Sequence, residues 1–339
     1  MNERLTKIPA LKDVHVHSRV GMEHKETPDT LARSAIFGGY DTLWLMPNDM
    51  PVVDKESVEV KIQKFKNTPI NYSVFVGATM ENFNEHKMVS KKVCGLKIYM
   101  NETTGDLLIE DQETLRKHFE NWPKGKPIFV HAEMETLDVA INLSEKYGQH
   151  LHVCHVSRAF EVELIKKAKE SGLNVTCEVS PHHLFLTKDD EKILGVFAKM
   201  KPTLGSRKDN HALWKAVRSG IIDMIATDHA PHTREEKLSS NPPYGVPGLE
   251  TTLPLLLTAV AQKRLNLEEV VKLTSTNPEN IFGLHSGNYV LVDLDQKWVV
   301  PTSGFQTKCD WSPFSGMNVQ GKIRKIVIRG KEITLDEMG

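Results

Sequence analysis

Short apolar runs alternate with amphipathic stretches along the first two thirds of the chain. The amphipathic stretches have the 3.6-residue spacing of helices, as at 28–37, 54–66, 111–121, 135–147 and 160–171. The apolar runs predict eight buried strands, at about residues 13–17, 42–46, 72–78, 95–100, 127–132, 151–156, 174–179 and 223–228. Strands that alternate with helices form parallel sheets, and eight such units predict an α/β protein with a (β/α)8 TIM barrel.

The pattern changes after the eighth predicted strand. Helices are predicted at 249–262, 267–274 and 278–282, and β-like alternation follows at 290–293 and 325–329. We therefore expect residues 10–284 to form the barrel. Residues 1–9 and 285–339 are expected to form a small accessory β layer packed on it.

Polar side chains stand at the carboxyl ends of several predicted strands, where barrel enzymes build their active sites. His15 and His17 alternate with valines, so they lie on the same side of the first strand. The other strand-end residues are Lys97, His131, His155 and Asp228. Any one of these histidines could be a buried core residue. Together they form a set of zinc ligands that is larger than one tetrahedral ion needs, which points to two ions.

Lys97 does not fit a simple metal site, because an ammonium group has no acceptor with which to ligate a metal. On the residue chemistry alone, its side chain could simply extend out of the strand end.

Composition narrows the class of ligand and the compartment. The chain has 339 residues, a formal net charge of -1, 40% hydrophobic and 26% charged residues, so it carries no electrostatic signature of nucleic-acid binding. No apolar run is long enough to cross a membrane, and the N-terminus lacks a signal-peptide core. The four cysteines show no CxxC pairing, which favours reduced thiols. We expect a cytoplasmic protein that acts on a small molecule.

Several segments together resemble the dihydroorotases of the amidohydrolase superfamily. They are DVHVHSR (13–19), MPN (46–48), GLKIYMNET (95–103), HAE (131–133), HVCHV (152–156), TCEVSPHHLFL (176–186), TDHAPHT (227–233) and PPYGVPGLETTLPLLLTAV (242–260). The chain is most similar to the dihydroorotase domain of animal multifunctional proteins, which also carry carbamoyl phosphate synthetase and aspartate transcarbamoylase. The resemblance implies reversible, zinc-dependent cyclisation of N-carbamoyl-L-aspartate to L-dihydroorotate in pyrimidine biosynthesis, by a homodimer or a domain linked to those enzymes.

The resemblance also implies a ligand set. Lys97 would be an N6-carboxylysine whose carbamate bridges two zinc ions. The first ion would bind His15, His17 and Asp228, and the second would bind His131 and His155. Cys154 and Glu178 would hold a third zinc beside His15; a buried thiol and a carboxylate that orients a ligand explain that pair equally well.

Further roles follow from the same resemblance. Asp228 would take a proton from the attacking water and pass it to the departing ring nitrogen. The residues expected to contact the substrate are Arg19, Asn48, Thr103, Thr104, His232, Pro247 and Gly248. Arg19 has a planar fork that suits a substrate carboxylate, although a surface ion pair with Glu23 or Glu26 is an alternative. Asn48 could be a turn residue, His232 a loop cap, and the lid around Thr103 and Thr104 an ordinary turn.

The chain departs from the family pattern at several positions, and other functions remain open. The departures are Ser18 and Val20 on either side of Arg19, Asp49-Met50 after Asn48, Thr104 at the lid tip, and Lys201 in place of an arginine. Allantoinases and dihydropyrimidinases share the barrel and the carboxylated lysine, but Arg19 and Asn48 favour a ring that bears a carboxylate. A catalytically inactive dihydroorotase-like scaffold is the non-enzymatic alternative, and the intact ligand set argues against it.

Overall fold

A parallel sheet follows the order of the sequence in the computed structural model, which describes residues 5–335. Within that range the sheet has eight strands: β2 (Leu11–Val16), β3 (Tyr40–Leu45), β4 (Asn71–Gly77), β5 (Gly95–Tyr99), β6 (Ile128–His131), β7 (Leu151–Val153), β8 (Val175–Val179) and β9 (Met224–Ile225). Val16 forms a parallel bridge to His229, and the His17 amide donates to the His229 carbonyl at 2.8 Å. The first strand therefore meets the segment after the last strand, and the barrel closes.

Helices cover the outside of the barrel. They are α1 (Pro28–Phe37), α2 (Lys55–Phe65), α3 (His86–Val89), α4 (Gln112–Asn121), α5 (Glu135–Tyr147), α6 (Ala159–Glu170), α7 (Pro181–Phe185), α8 (Glu191–Leu194), α9 (Arg207–Arg218), α10 (Arg234–Lys237), α11 (Leu249–Ala261), α12 (Leu267–Val271) and α13 (Asn277–Phe282). Side-chain caps explain where the first two begin: Thr27 accepts from the amide of Thr30, and Asp54 accepts from that of Ser57. No helix between residues 5 and 335 is both long and apolar enough to span a membrane.

Large apolar side chains fill the interior of the barrel. Trp44, Phe75 and Phe129 pack against one another, with ring centroids 4.6 to 5.9 Å apart. A filled interior leaves only the two rims for polar chemistry, and in barrel enzymes the carboxyl-terminal rim carries the active site.

A second, antiparallel sheet joins the two ends of the described chain. It pairs β1 (Thr6–Pro9) with β10 (Tyr289–Val299), and continues through β11 (Asn318–Ile328) to β12 (Lys331–Thr334). Helix α11 packs on β11, where Gly321 has a φ of +93° and a Cβ would lie 2.5 Å from Leu257. Residues 1–4 and 336–339 of the expected accessory layer lie outside the described residues.

Several element boundaries differ from the sequence-based expectation. Between β4 and β5 the chain forms three short helical segments, Asn82–Glu85, His86–Val89 and Ser90–Lys92, in place of one continuous helix. The expected strand 290–293 extends to Val299, because polar residues on the solvent face of an antiparallel pair obscure the strand pattern. The predicted fold class, a barrel with an accessory β layer, is confirmed.

Candidate active site

Two histidines of the first strand and an aspartate beyond the last strand face each other on the carboxyl-terminal rim. Asp228 Oδ1 lies 3.1 Å from His17 Nε2 and 3.4 Å from His15 Nε2. All three side chains are buried, and their ligand atoms lie within 4.8 Å of one another. Asp228 has a φ of +48°, a conformation that costs energy in a non-glycine residue and persists only where its surroundings enforce it.

The other ring nitrogens of these two histidines are held by hydrogen bonds. His15 Nδ1 donates to Glu178 Oε1 at 2.5 Å, and His17 Nδ1 donates to Asn48 Oδ1 at 2.7 Å. A histidine that donates from Nδ1 keeps the lone pair on Nε2, and this arrangement is typical of metal-binding histidines. Both free nitrogens therefore point toward Asp228.

Two further histidines meet beside this group. His131 Nδ1 lies 2.9 Å from His155 Nε2, and the rings of His155 and His15 have centroids 5.2 Å apart. His155 is the second residue after β7 and has a φ of +36°. Burial lowers the pKa of His15, His131 and His155. These imidazoles are thus neutral at neutral pH, which is the form that binds metal.

Lys97 lies inside the same cluster. Its side chain is fully buried, and Nζ donates to Cys154 Sγ at 2.9 Å. In the described part of the chain no carboxylate oxygen pairs with this amine. A buried ammonium without an anionic partner is costly, and carboxylation of the amine would convert it into an anion beside neutral imidazoles.

Cys154 and Glu178 form a second group of potential ligands with His15. Burial alone would raise the pKa of Glu178, but His15 and His152 lower it to about 2, so the carboxylate is ionised. Burial raises the pKa of the Cys154 thiol to about 12. The contact of Glu178 with His15 Nδ1 fits an orienting carboxylate, and the clustering of the three ligand atoms fits a further ion.

Arg19 lies beside the cluster, with its side chain buried and a backbone φ of +57°. Its Nε donates to the Pro231 carbonyl at 3.0 Å, and Nη2 lies 3.0 Å from His232 Nε2. Its carboxylate neighbour is Asp49, with 3.6 Å between Nη1 and Oδ1, rather than Glu23 or Glu26. The guanidinium group is therefore held inside the rim.

A small cavity above the metal-ligand cluster joins most of the predicted substrate contacts. It is lined by His17, Arg19, Asn48, Thr103, Thr104, Lys201, Asp228, Ala230, Tyr244 and Gly245. Pro247 and Gly248 do not line this cavity; they border a neighbouring one, where the Gly248 amide donates to His229 Nδ1 at 3.2 Å. His232 does not line this cavity either; its Nε2 lies 3.0 Å from Arg19 Nη2 and 2.9 Å from the Tyr244 carbonyl oxygen.

Sequence reasoning did not predict Ala230, Tyr244 and Gly245 as cavity residues. Tyr244 and Gly245 belong to a Pro/Gly-rich loop, and its aromatic residue was the available signal. Lys201 stood out only as a departure from an expected arginine. Its amine lies 5.3 Å from the centroid of the Tyr244 ring.

The chemistry of the ligand atoms decides whether a metal ion fits this cluster. Neutral imidazoles and an ionised carboxylate are the ligands that zinc prefers, and burial leaves these groups few competing partners. Burial by itself would raise the pKa of Asp228, but His15 and His17 hold it well below its usual range. The cluster can therefore hold a metal ion.

A barrel whose carboxyl-terminal rim carries this histidine and aspartate set has the architecture of a metal-dependent hydrolase. Residues 6–333 match the model of the amidohydrolase family, and the chain belongs to that family.

Two curated relatives illustrate the similarity. The chain is 40% identical over 341 residues to "Multifunctional protein CAD" of Squalus acanthias, a match that covers 99% of this chain and 15% of that protein. It is 33% identical over 374 residues to a dihydroorotase of Wolbachia sp. subsp. Drosophila simulans, covering 97% of this chain and 84% of that one. The chain thus spans a small part of the multifunctional relative and most of the dihydroorotase.

Two solved structures have the same fold. L-hydantoinase (dihydropyrimidinase) from Arthrobacter aurescens superposes with a TM-score of 0.91 at 26% identity, covering 97% of this chain and 85% of that one. The inactive dihydroorotase-like domain of a Chaetomium thermophilum CAD-like multifunctional protein superposes with a TM-score of 0.82 at 28% identity, covering 97% and 94%. The fold is therefore shared by active hydrolases and by an inactive domain.

Proposed function

We propose that the chain is a dihydroorotase, which interconverts N-carbamoyl-L-aspartate and L-dihydroorotate. The observation that carries the proposal is the placement of a buried guanidinium, Arg19, in the same cavity as the His17 and Asp228 side chains. A cyclic amide that bears a carboxylate needs both a cation to bind that carboxylate and a hydrolytic centre for the ring.

In this proposal His15, His17 and Asp228 would hold one zinc ion and His131 and His155 a second, with N6-carboxylated Lys97 as a further ligand. The neutral state of the buried imidazoles supports this assignment, and so does the lack of an anionic partner for Lys97 within residues 5–335. When bound, zinc in such a site supplies Lewis acidity and lowers the pKa of a water molecule toward about 7. Cys154 and Glu178 are proposed as an optional third site.

Asp228 is the proposed proton carrier. Its pKa lies well below the usual range, so the carboxylate is ionised at neutral pH and can accept a proton from the attacking water. During hydrolysis the same oxygen then delivers the proton to the ring nitrogen as the amide C–N bond breaks. In the reverse direction Asp228 takes the proton from the carbamoyl nitrogen as the ring closes and water leaves.

Arg19, with Asn48 and Lys201, is proposed to bind the substrate carboxylate, while Thr103 and Thr104 cover it. The cavity has a volume of about 20 Å³, room for little more than one water molecule. The lid must therefore open to admit a substrate, and its closure would exclude bulk water from the reaction.

The chain matches 15% of the length of the multifunctional relative, which therefore contains other domains. We propose that the chain works in the cytoplasm on a small molecule as a homodimer, and that it can be joined to carbamoyl phosphate synthetase and aspartate transcarbamoylase. The identity to a multifunctional relative along nearly the whole chain supports that linkage.

Turnover and metal content, measured on the same purified chain, test the proposal. We expect zinc at two or more ions per chain, and turnover of L-dihydroorotate well above that of hydantoin or allantoin. Faster turnover of hydantoin than of L-dihydroorotate would support the hydantoinase alternative. The Arthrobacter aurescens enzyme, one of the two solved structures described above, is a protein of that class. Zinc below one ion per chain with no hydrolysis of any of the three would favour an inactive scaffold.

A further inference from the structure

Three buried charges lie in a row behind the substrate cavity. Arg19 Nη1 is 3.6 Å from Asp49 Oδ1, and Asp49 Oδ2 is 3.1 Å from Lys61 Nζ. All three side chains are at most 2% exposed. The row extends from the cavity into the packing of α2 against the barrel, and we call it the Arg19–Asp49–Lys61 row.

Other polar contacts fix the two distal members of this row. Ser18 Oγ donates to Asp49 Oδ2 at 2.7 Å, and Lys61 Nζ also donates to the Met46 carbonyl at 2.5 Å.

Asp49 faces Arg19 in an unusual way. Its Oδ1, the oxygen nearer to Arg19, has no hydrogen-bond partner among the described residues, although it is buried. At 3.6 Å it attracts the guanidinium without occupying one of its N–H groups. Arg19 can thus be held in place while its remaining donors stay available to a ligand.

Lys61 offsets the negative charge of Asp49. Asp49 alone would neutralise Arg19 and compete with an incoming carboxylate for it. Burial alone would raise the pKa of Asp49, but Lys61 and Arg19 lower it, so the carboxylate is ionised. Burial lowers the pKa of Lys61, and the contact with Asp49 opposes that shift. With Lys61 protonated, the row has a net charge of about +1, and at low effective dielectric that charge acts over the cavity.

We propose that Asp49 and Lys61 are positioning residues for substrate binding: Asp49 fixes the Arg19 guanidinium, and Lys61 cancels the charge of Asp49 so that Arg19 still attracts the substrate carboxylate. This inference rests on the proposed dihydroorotase function. Neither residue touches the reacting atoms, so their effect is on binding rather than on the chemical step.

The test compares the parent protein with K61M and with D49N/K61M in steady-state kinetics. Lys61→Met leaves Asp49 free to neutralise Arg19, and we expect the KM for dihydroorotate to rise about tenfold while kcat stays within about threefold. In D49N/K61M the asparagine keeps an oxygen beside Arg19 but carries no charge, so KM should return to within about threefold of the parent value. If Lys61 mattered only for packing, the KM of D49N/K61M would be at least as high as that of K61M.

A matched control separates charge from the loss of a buried lysine. Lys12 lies on β2, well below the rim, and is equally buried. Its Nζ is 2.9 Å from Asp41 Oδ1. K12M should lower the melting temperature without raising KM. If K61M does not fold, Lys61→Gln keeps a donor for Asp49 and the Met46 carbonyl without the charge, and the same rise in KM is expected.

The outcomes distinguish the inference from the function on which it rests. A parent protein that binds zinc but does not hydrolyse dihydroorotate would overturn the proposed function. A parent that does hydrolyse it, together with an unchanged KM in folded K61M and K61Q, would overturn only the role of the Arg19–Asp49–Lys61 row. A KM in D49N/K61M no lower than that of K61M would overturn it as well.

Discussion

His17 is connected to the lid through Asn48. The amide oxygen of Asn48 accepts from His17 Nδ1 at 2.7 Å, and its nitrogen donates to the Thr104 carbonyl at 2.9 Å. One short side chain thus orients a proposed metal ligand and holds the covering loop. The orientation of His17 and the position of the loop that carries Thr104 are therefore coupled through a single residue.

This coupling predicts a double loss on Asn48→Ala. Without its acceptor, His17 can turn its ring, and loss of such an orienting partner typically lowers metal affinity about 10- to 100-fold. The lid loses a hydrogen bond at the same time, so KM should rise. Zinc titration with a competing chelator and steady-state kinetics measure the two effects, and a variant with parental zinc affinity would contradict the orienting role.

Replacing Asp228 by asparagine should separate metal binding from proton transfer. The amide oxygen can still face His15 and His17, but it cannot accept the proton, so we expect kcat to fall about 10²- to 10⁴-fold. Metal content by mass spectrometry should remain above one ion per chain. Near-parental turnover in a metal-loaded D228N protein would reject the proton-carrier role.

The loop that carries Thr103 and Thr104, which we propose as a lid, contains a glycine whose backbone an alanine would strain. Gly105 has a φ of +105°, and a Cβ there would lie 3.4 Å from the Asn48 carbonyl oxygen. Gly105→Ala should therefore disfavour the closed lid by about 1 to 3 kcal/mol, lowering kcat/KM about fivefold or more.

Gly125→Ala is the matched control for the lid variant. Gly125 has a φ of +88°, a Cβ there would meet no atom within 4 Å, and the residue lies in a turn before β6. G125A should lower stability but leave kcat/KM unchanged. Equal kinetic losses in G105A and G125A would show that strain in general, rather than the lid, causes the effect.

The buried carboxyl group of Glu250 should make the free energy of unfolding depend on pH. This buried carboxylate accepts from the amides of Gln306 and Thr307, and burial raises its pKa to about 7, from 4.5. The folded protein holds a proton there that the unfolded chain releases, so this contribution to stability is complete below about pH 4.5 and is lost as the pH rises through about 7.

Glu250→Gln removes this titration while its oxygen can still accept hydrogen bonds. Relative to the parent, the variant should gain up to about 3 kcal/mol in unfolding free energy between pH 4.5 and pH 8. Urea unfolding of both proteins across that range measures the difference. Parallel stability curves would mean that Glu250 titrates normally.

Much of the site could be predicted from local pattern. The alternation of valine and histidine in Asp13–His17 placed two imidazoles on one side of a strand, and parallel strands carry their end residues to a common rim. The predicted ligands His15, His17 and Asp228 do lie together in the structure. Their roles stay predictions until metal content and turnover are measured.

Other features depend on contacts between distant segments. Pro247 and Gly248 were expected at the substrate but border a neighbouring cavity, and Tyr244 takes a place at the substrate cavity. The pairing of Thr6 with Val292 could not be read from either segment alone. Neither segment carries a local signal of its partner, because an edge strand is compatible with many partners until packing selects one.

By itself, then, the sequence determined the barrel, its accessory layer and the polar residues at the strand ends, because backbone conformation and side-chain alternation are local properties. Only the tertiary structure decided that Asn48 joins His17 to the lid and that Lys61 reaches Asp49 behind Arg19. Those contacts depend on distances and angles between separately formed elements, and these are fixed when the helices pack on the closed sheet.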